Sequence, residues 1–164
     1  MSAAMRGRIH RFGDEVNTDV ILPGRYLALR RPEDLREHCM EGLDPGFVGR
    51  VRPGDILAVG RNFGCGSSRE HAVVALRAAG VGAIVAVSAA RIFYRNAVNL
   101  GLPVLICPEA ALALQEGEPA GIDLATATVR QGGTEWRAEP LGEEVRAILA
   151  AGGLVQRVRA ALAA

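Results

Sequence analysis

Val81-Gly-Ala-Ile-Val-Ala-Val-Ser88, VGAIVAVS, runs seven residues without a polar side chain before it reaches serine. A strand with one wet face would alternate apolar and polar positions. An unbroken apolar run suits a strand buried on both faces, as in a parallel sheet. On its N-terminal side Ala72, Val73 and Leu76 recur at helical spacing, which predicts a helix from Arg69 that Gly80 ends with a left-handed cap. Before that helix, Val51 to Gly60 predicts a turn at Pro53-Gly54 followed by an apolar strand. On the C-terminal side Ala89 to Leu100 is predicted helical, Gly101 stops it, and Pro103 to Cys107 is a short apolar strand. Strand, helix, strand, helix, strand with short links predicts right-handed crossovers. The fold class is therefore α/β, with a core of parallel strands and crossover helices.

The flanks are expected to elaborate this core. Pro108 to Glu116 is predicted helical. Ile122 to Arg130 and Thr134 to Glu139 flank Gly132-Gly133 and predict a C-terminal hairpin. The Ala/Leu-rich tail from Leu141 to Ala164 predicts two short helices split at Gly152-Gly153. Between Arg6 and Arg50 a strand-like start gives way to an irregular stretch rich in Gly, Pro, Asn and Asp, with a mobile loop expected over residues 24–36.

At 164 residues and 49% hydrophobic, the chain has enough apolar material for one well-packed domain, expected to span residues 1–164. Its net charge is +1 with the basic residues scattered, so it offers no electrostatic footprint for nucleic acid or an acidic membrane. The apolar runs stop well short of the roughly 20 residues a membrane span needs. The opening MSAAMRGRIHRFGDE lacks an apolar leader core, and a cytoplasmic location is expected. Cys39, Cys65 and Cys107 include no CxxC pair, a poor basis for disulfides or for a metal site within this chain.

The chemistry concentrates in Gly60-Arg-Asn-Phe-Gly-Cys-Gly-Ser-Ser-Arg-Glu-His-Ala72, GRNFGCGSSREHA. It lacks the GK[ST] of a phosphate-binding P-loop and the third glycine of a dinucleotide fingerprint. Its place between a strand and a helix nevertheless aims backbone N–H groups at a helix N-terminus, where a carboxylate would bind as well as a phosphate. Cys65 is either a nucleophile needing a base, with His71 the nearest candidate, or a small residue filling a tight turn. Ser67-Ser-Arg-Glu70 fits a capping box with Ser67, or alternatively Ser68, as N-cap. Gly64 and Gly66 would clear space for a ligand, and Arg69 beside a positive helix end makes sense if an anion sits there. His10 and His38 have no partner legible in the sequence and read as surface or structural residues.

GCGSSREHA, with Ala90-Arg-Ile-Phe-Tyr-Arg-Asn-Ala-Val-Asn-Leu-Gly-Leu-Pro103 after it and Asn17-Thr-Asp-Val-Ile-Leu-Pro23 and Arg25-Tyr-Leu27 before it, resembles the small subunits of 3-isopropylmalate dehydratase. It also resembles the swivelling C-terminal domain of aconitase. The likeness runs from residue 6 to about residue 120. It implies a swivelling β/β/α domain and a hydro-lyase built from two chains, in which a large aconitase-like subunit carries a [4Fe-4S] cluster and this chain holds no cofactor of its own. The reaction implied is the dehydration and rehydration that interconverts 2- and 3-isopropylmalate in leucine biosynthesis, with a small dicarboxylate as substrate. By resemblance Ser67 is the catalytic base, Arg69 binds a substrate carboxylate and helps hold the serine, Ser68 has a supporting role, and Asp19 faces the active site.

Raising an alkoxide near neutral pH asks a serine to shift by on the order of five pKa units, roughly 7 kcal/mol. A helix terminus supplies at most ~2 kcal/mol. The rest must come from Arg69 and other donors in a closed, water-poor site, so the chain alone is expected to be inert.

The residues after Tyr26-Leu27 read the substrate's distal group in the family. Here Ala28 and Leu29 suit an isopropyl group, because a carboxylate against them would be costly to desolvate. Arg30, if turned inward, would suit the extra carboxylate of a homoaconitase substrate instead. With Arg31 it otherwise forms a solvated basic corner. Two further classes make distinct expectations. A binding or regulatory module without turnover would keep its function after Ser67→Ala, and a thiol-dependent enzyme would lose activity after Cys65→Ser.

Overall fold

In the computed structural model, which describes residues 4–163, the chain builds one seven-stranded sheet in two halves that share their middle strand. Residues 1–3 and 164, which the expected domain span includes along with the start of the expected leaderless N-terminus, lie outside the described residues. Strand β1 (Ala4–Phe12) divides its pairing: Ile9–Phe12 run parallel to β2 (Ile56–Val59), while Ala4–Arg8 run antiparallel to β5 (Pro119–Asp123). Beyond β2 the parallel half continues through β3 (Ala83–Ala86) to β4 (Val104–Ile106). Beyond β5 the antiparallel half continues through β6 (Thr128–Gln131) and β7 (Thr134–Arg137).

The apolar run that suggested two buried faces has them. Along β2 and β3, Leu57, Val59, Ile84 and Ala86 enter one core cluster, and Ile56, Ala58, Ala83 and Val85 enter the other. The first cluster lies under α1 (Thr18–Ile21), α2 (Pro32–Arg36), α3 (Phe47–Arg50), α4 (Glu70–Ala79) and α5 (Arg91–Asn99). The second is closed by α6 (Pro108–Ala113) together with the inner residues of β5 and β6. The tail forms α7 (Glu143–Ala151) and α8 (Leu154–Ala163), separated at Gly152-Gly153 as the sequence suggests. Among the described residues no helix is long and apolar enough to cross a membrane.

The structure departs from the sequence reading in the C-terminal hairpin and over residues 24–36, and it supplies partners for both histidines. Residues 122–130 are not one hairpin arm: Ile122 and Asp123 end β5, a turn crosses 124–127, and only β6 pairs with β7 across Gly132-Gly133. Residues 24–36 are not irregular throughout, since a 3-10 turn covers Gly24–Tyr26 and α2 begins at Pro32, with only residues 27–31 outside both. Of the two readings left open for His10, surface or structural, the structure gives the second: it is buried, and its Nε2 lies 2.8 Å from the Asp55 carboxylate. His38 stacks on Tyr26 at a ring separation of 3.6 Å and meets Glu41 at 3.0 Å.

Candidate active site

The motif leaves the C-terminal end of β2 as an open loop over residues 60–69, and its course is set by ties on two sides. On one side the Asn62 N–H donates to Ser88 Oγ at 2.8 Å, the Phe63 N–H donates to the Ser88 carbonyl at 3.2 Å, and the Ala90 N–H donates to the Phe63 carbonyl at 2.9 Å. Phe63 is buried and meets Phe93 of α5 edge to face, 5.2 Å between centroids. On the other side the Gly64 N–H donates to the Val16 carbonyl and the Thr18 N–H to the Cys65 carbonyl, each at 2.8 Å. The loop is thus wedged between the segment entering α1 and the segment entering α5.

This wedging overrides the expected capping box. Helix α4 begins only at Glu70, its N-cap is Arg69, and no side chain caps it. Ser67 and Ser68 remain exposed in the loop, and neither hydroxyl makes a hydrogen bond among the described residues. The glycines, which line the cleft described below, also meet a need inside the protein. Gly64 has φ of +79°, and a Cβ there would lie 2.2 Å from the Phe93 ring. Gly66 has φ of +93°, and its Cβ would lie 2.6 Å from Asn17 Oδ1. Both are demanded by backbone conformation and by packing inside the protein.

Arg69 is not a bare cation at a helix end. Its Nη1 donates to Asp19 Oδ1 at 2.6 Å and reaches the Leu22 carbonyl at 3.5 Å. Asp19 Oδ1 also accepts the Gly24 N–H at 3.0 Å, while the Asp19 N–H donates to the side chain of Asn17, the N-cap of α1. The Arg69 hydrogen bond, then the Gly24 N–H, hold the Asp19 carboxyl below the usual carboxylate range. Among the described residues only Nη1 of the guanidinium is engaged, which leaves its other N–H groups as donors suited to a carboxylate.

Ser67, Ser68 and Arg69 line a cleft of about 270 Å³ together with Thr18, Arg91 and Asn96. The last three were not singled out in the sequence. Arg91 and Asn96 lie within the stretch that carries the family likeness but show no local chemical pattern, and Thr18 acts across 49 residues of chain. Among the described residues no carboxylate lines this cleft, and the N-terminal ends of α4 and α5 both open onto it. Asp19 stands behind Arg69 and is not on the cleft wall.

The segment from Tyr26 to Arg30 lies apart from the cleft lining. Tyr26, Leu27 and Leu29 pack against the first core cluster, while Ala28 and Arg30 are exposed. Arg31 pairs with Asp34 at 2.9 Å. A larger groove of about 860 Å³ runs past Met5, Gln115 and Arg130 at the hairpin but contains none of the motif residues. Cys65 is half-buried; burial and the neighbouring Glu15 push its thiol up from its usual value, away from a reactive thiolate. Among the described residues no group of three or more His, Cys, Asp or Glu side chains is placed to hold a metal ion.

Residues 40–109 match the family described as the Aconitase C-terminal domain. Over 161 residues the chain is 50% identical to 3-isopropylmalate dehydratase small subunit 1 of Methanopyrus kandleri, covering 97% of this chain and 95% of that protein. It is 51% identical over 157 residues to the methanogen homoaconitase small subunit of Methanothermobacter thermautotrophicus, covering 94% and 91%. The crystal structure of a 3-isopropylmalate dehydratase from Methanocaldococcus jannaschii superposes with a TM-score of 0.91 at 42% identity, covering 96% of this chain and 95% of that one. Strands β2 to β4 and the motif loop lie within the stretch that matches the Aconitase C-terminal domain. The chain belongs to the 3-isopropylmalate dehydratase small-subunit family.

Proposed function

We propose that this chain, a single swivelling domain, is the small subunit of a hydro-lyase that interconverts 2- and 3-isopropylmalate by dehydration and rehydration. Its partner is a large aconitase-like subunit carrying the [4Fe-4S] cluster. The observation that carries the reading is the convergence of Ser67 and an Asp19-braced Arg69 on one open, carboxylate-free cleft. Bound against it, a substrate carboxylate takes the unengaged N–H groups of Arg69. Ser67, exposed in the loop and acting as its alkoxide once the site is closed, takes the proton from the carbon next to the C–OH carbon. The C–H electron pair becomes the double bond as the hydroxyl leaves on the large subunit's side of the site, and the Ser67 hydroxyl so formed returns the proton on rehydration.

In the free chain Ser67 lies open to water, which screens the charges that would stabilise its oxyanion. The large subunit closes the site and excludes that water. The chain alone therefore has no turnover. Ser68 supports the loop, and the Tyr26–Arg30 segment faces the distal end of the substrate once the two subunits close.

A homoaconitase small subunit is the second reading. It is favoured by the homoaconitase relative of equal identity and by Arg30, which is exposed and makes no ion pair or hydrogen bond among the described residues. The test is to combine the chain with its cluster-loaded large subunit and compare kcat/KM for 3-isopropylmalate and for homoaconitate. Preference for isopropylmalate supports the first reading, preference for homoaconitate the second, and turnover by the isolated chain contradicts both.

A further inference from the structure

We propose that Thr18 is a positioning residue for Ser67, so that the consecutive pair Thr18-Asp19 holds the two chemical residues of the motif, Ser67 and Arg69, one each. The inference rests on the reading of Ser67 as the base and adds to it the device that places that base. Thr18 is 2% exposed, and its Oγ1 donates to the Ser67 carbonyl at 2.8 Å. Its backbone N–H donates to the Cys65 carbonyl, also at 2.8 Å. One residue therefore grips the loop at two points on either side of Gly66, whose φ of +93° turns the chain between them.

Among the described residues, the bond from Thr18 is the one hydrogen bond made by any backbone group of residues 66–68. The Ser67 side chain makes none, and helix α4 starts three residues later. The position of the Ser67 hydroxyl thus follows from the position of its carbonyl, and that carbonyl is set by a buried side chain. Proton abstraction tolerates errors of well under 1 Å between base and carbon, and a misplacement of about 1 Å costs on the order of 100-fold in rate. The type of residue is also telling. A valine would fill the same space without the cost of burying a hydroxyl, so the hydroxyl is explained by the bond it makes.

The bond is tested in the reconstituted two-subunit enzyme with 3-isopropylmalate. Thr18→Val, which keeps the shape and removes the donor, is expected to lower kcat by about tenfold or more with KM changed by less than about threefold. Thr18→Ser, which restores the donor, is expected to return kcat to within about twofold of the parent. In a Ser67→Ala background, Thr18→Val is expected to have no further effect, because residues acting through one group are not additive. Full kcat in Thr18→Val overturns the inference, as does an equal loss in Thr18→Ser or an undiminished loss on top of Ser67→Ala. Thr18→Ala provides the same comparison if the valine variant does not fold. Failure of both to fold or assemble also overturns it, since the hydroxyl would then serve the fold at large. Full turnover in Ser67→Ala alone refutes the reading of the base itself, whereas an inactive Ser67→Ala beside a fully active Thr18→Val refutes only the role of Thr18.

Discussion

Asp19 and Arg69 meet at 2.6 Å across 50 residues of chain, and the same Asp19 oxygen takes the N–H of Gly24. One carboxylate therefore ties the motif loop to the start of the segment that precedes Tyr26. It orients the guanidinium while leaving the remaining donors free. Asp19→Asn, which keeps the shape but removes the charge, is expected to lower kcat/KM of the reconstituted enzyme by about tenfold while the two subunits still assemble. Steady-state kinetics with a co-elution assay checks this, and unchanged kinetics would show that Arg69 is oriented without it.

The same pair sets a pH dependence. With the Asp19 carboxyl held below its ordinary value of 3.8, the pair persists at pH values where an unperturbed aspartate would protonate, and it is lost only as pH falls through that lowered value. An NMR titration of the Asp19 carboxyl in the native chain is expected to show a midpoint below 3.8, and a midpoint above it would contradict the ion pair.

Gly64 supplies a stability test. With φ of +79° and Phe93 Cγ 2.2 Å from any Cβ, Gly64→Ala combines backbone strain with overpacking. The expected loss is about 2 kcal/mol or more in denaturant unfolding. A wild-type midpoint would mean that the loop can shift away from α5.

Much of the parallel half could be read from the sequence because double burial writes itself as unbroken apolar runs, as in Val81–Val87, with Gly80 marking the end of the helix before it. The antiparallel half was harder. Strand β5 is Pro-Ala-Gly-Ile-Asp, short of β-branched and aromatic residues, and it exists because β1 and β6 pair with it on both sides. The turn over 124–127 carries no glycine or proline, and Ala127 takes φ of 54°. The Ser67/Glu70 spacing obeyed a local capping rule that long-range ties from residues 16–18 overruled. Ser67, Arg69 and Asp19 were singled out through the family likeness, whereas the contacts of Thr18 and the pairing of Asp19 with Arg69 are made between distant segments that no local pattern records.

Asp55 is a second, purely structural carboxylate. It is buried, and it accepts hydrogen bonds from the His10 ring at 2.8 Å and from the N–H groups of Arg52 and Arg8 at 2.9 and 3.1 Å. Burial pushes its carboxyl up, but the His10 contact and the two backbone donors outweigh that and leave it below the ordinary 3.8. A group depressed in the folded state stabilises above its unfolded value and loses that contribution as pH falls through the folded one. Asp55→Asn is therefore expected to cost about 2 kcal/mol at neutral pH and to flatten the decline in stability below pH 3.8. Urea melts from pH 2 to 7 check both, and an unchanged acid limb would show that Asp55 contributes nothing there.

Cys65 draws the eye in the motif but is expected to be dispensable. Its thiol is pushed up by burial and by Glu15, and burial pushes Cys39 up to about 12. Both should react with iodoacetamide at pH 7.5 more slowly than free cysteine. Cys65→Ser should keep turnover within a few-fold of the parent. Abolished activity would instead point to thiol chemistry.

The central claim is that this chain brings the base to a site completed by another subunit. It is tested most directly by the rate of 3-isopropylmalate dehydration when Ser67→Ala is combined with the cluster-loaded large subunit. The account predicts a fall of about a thousandfold or more with the complex still assembled. Turnover within tenfold of the parent, from an equally assembled complex, would contradict it.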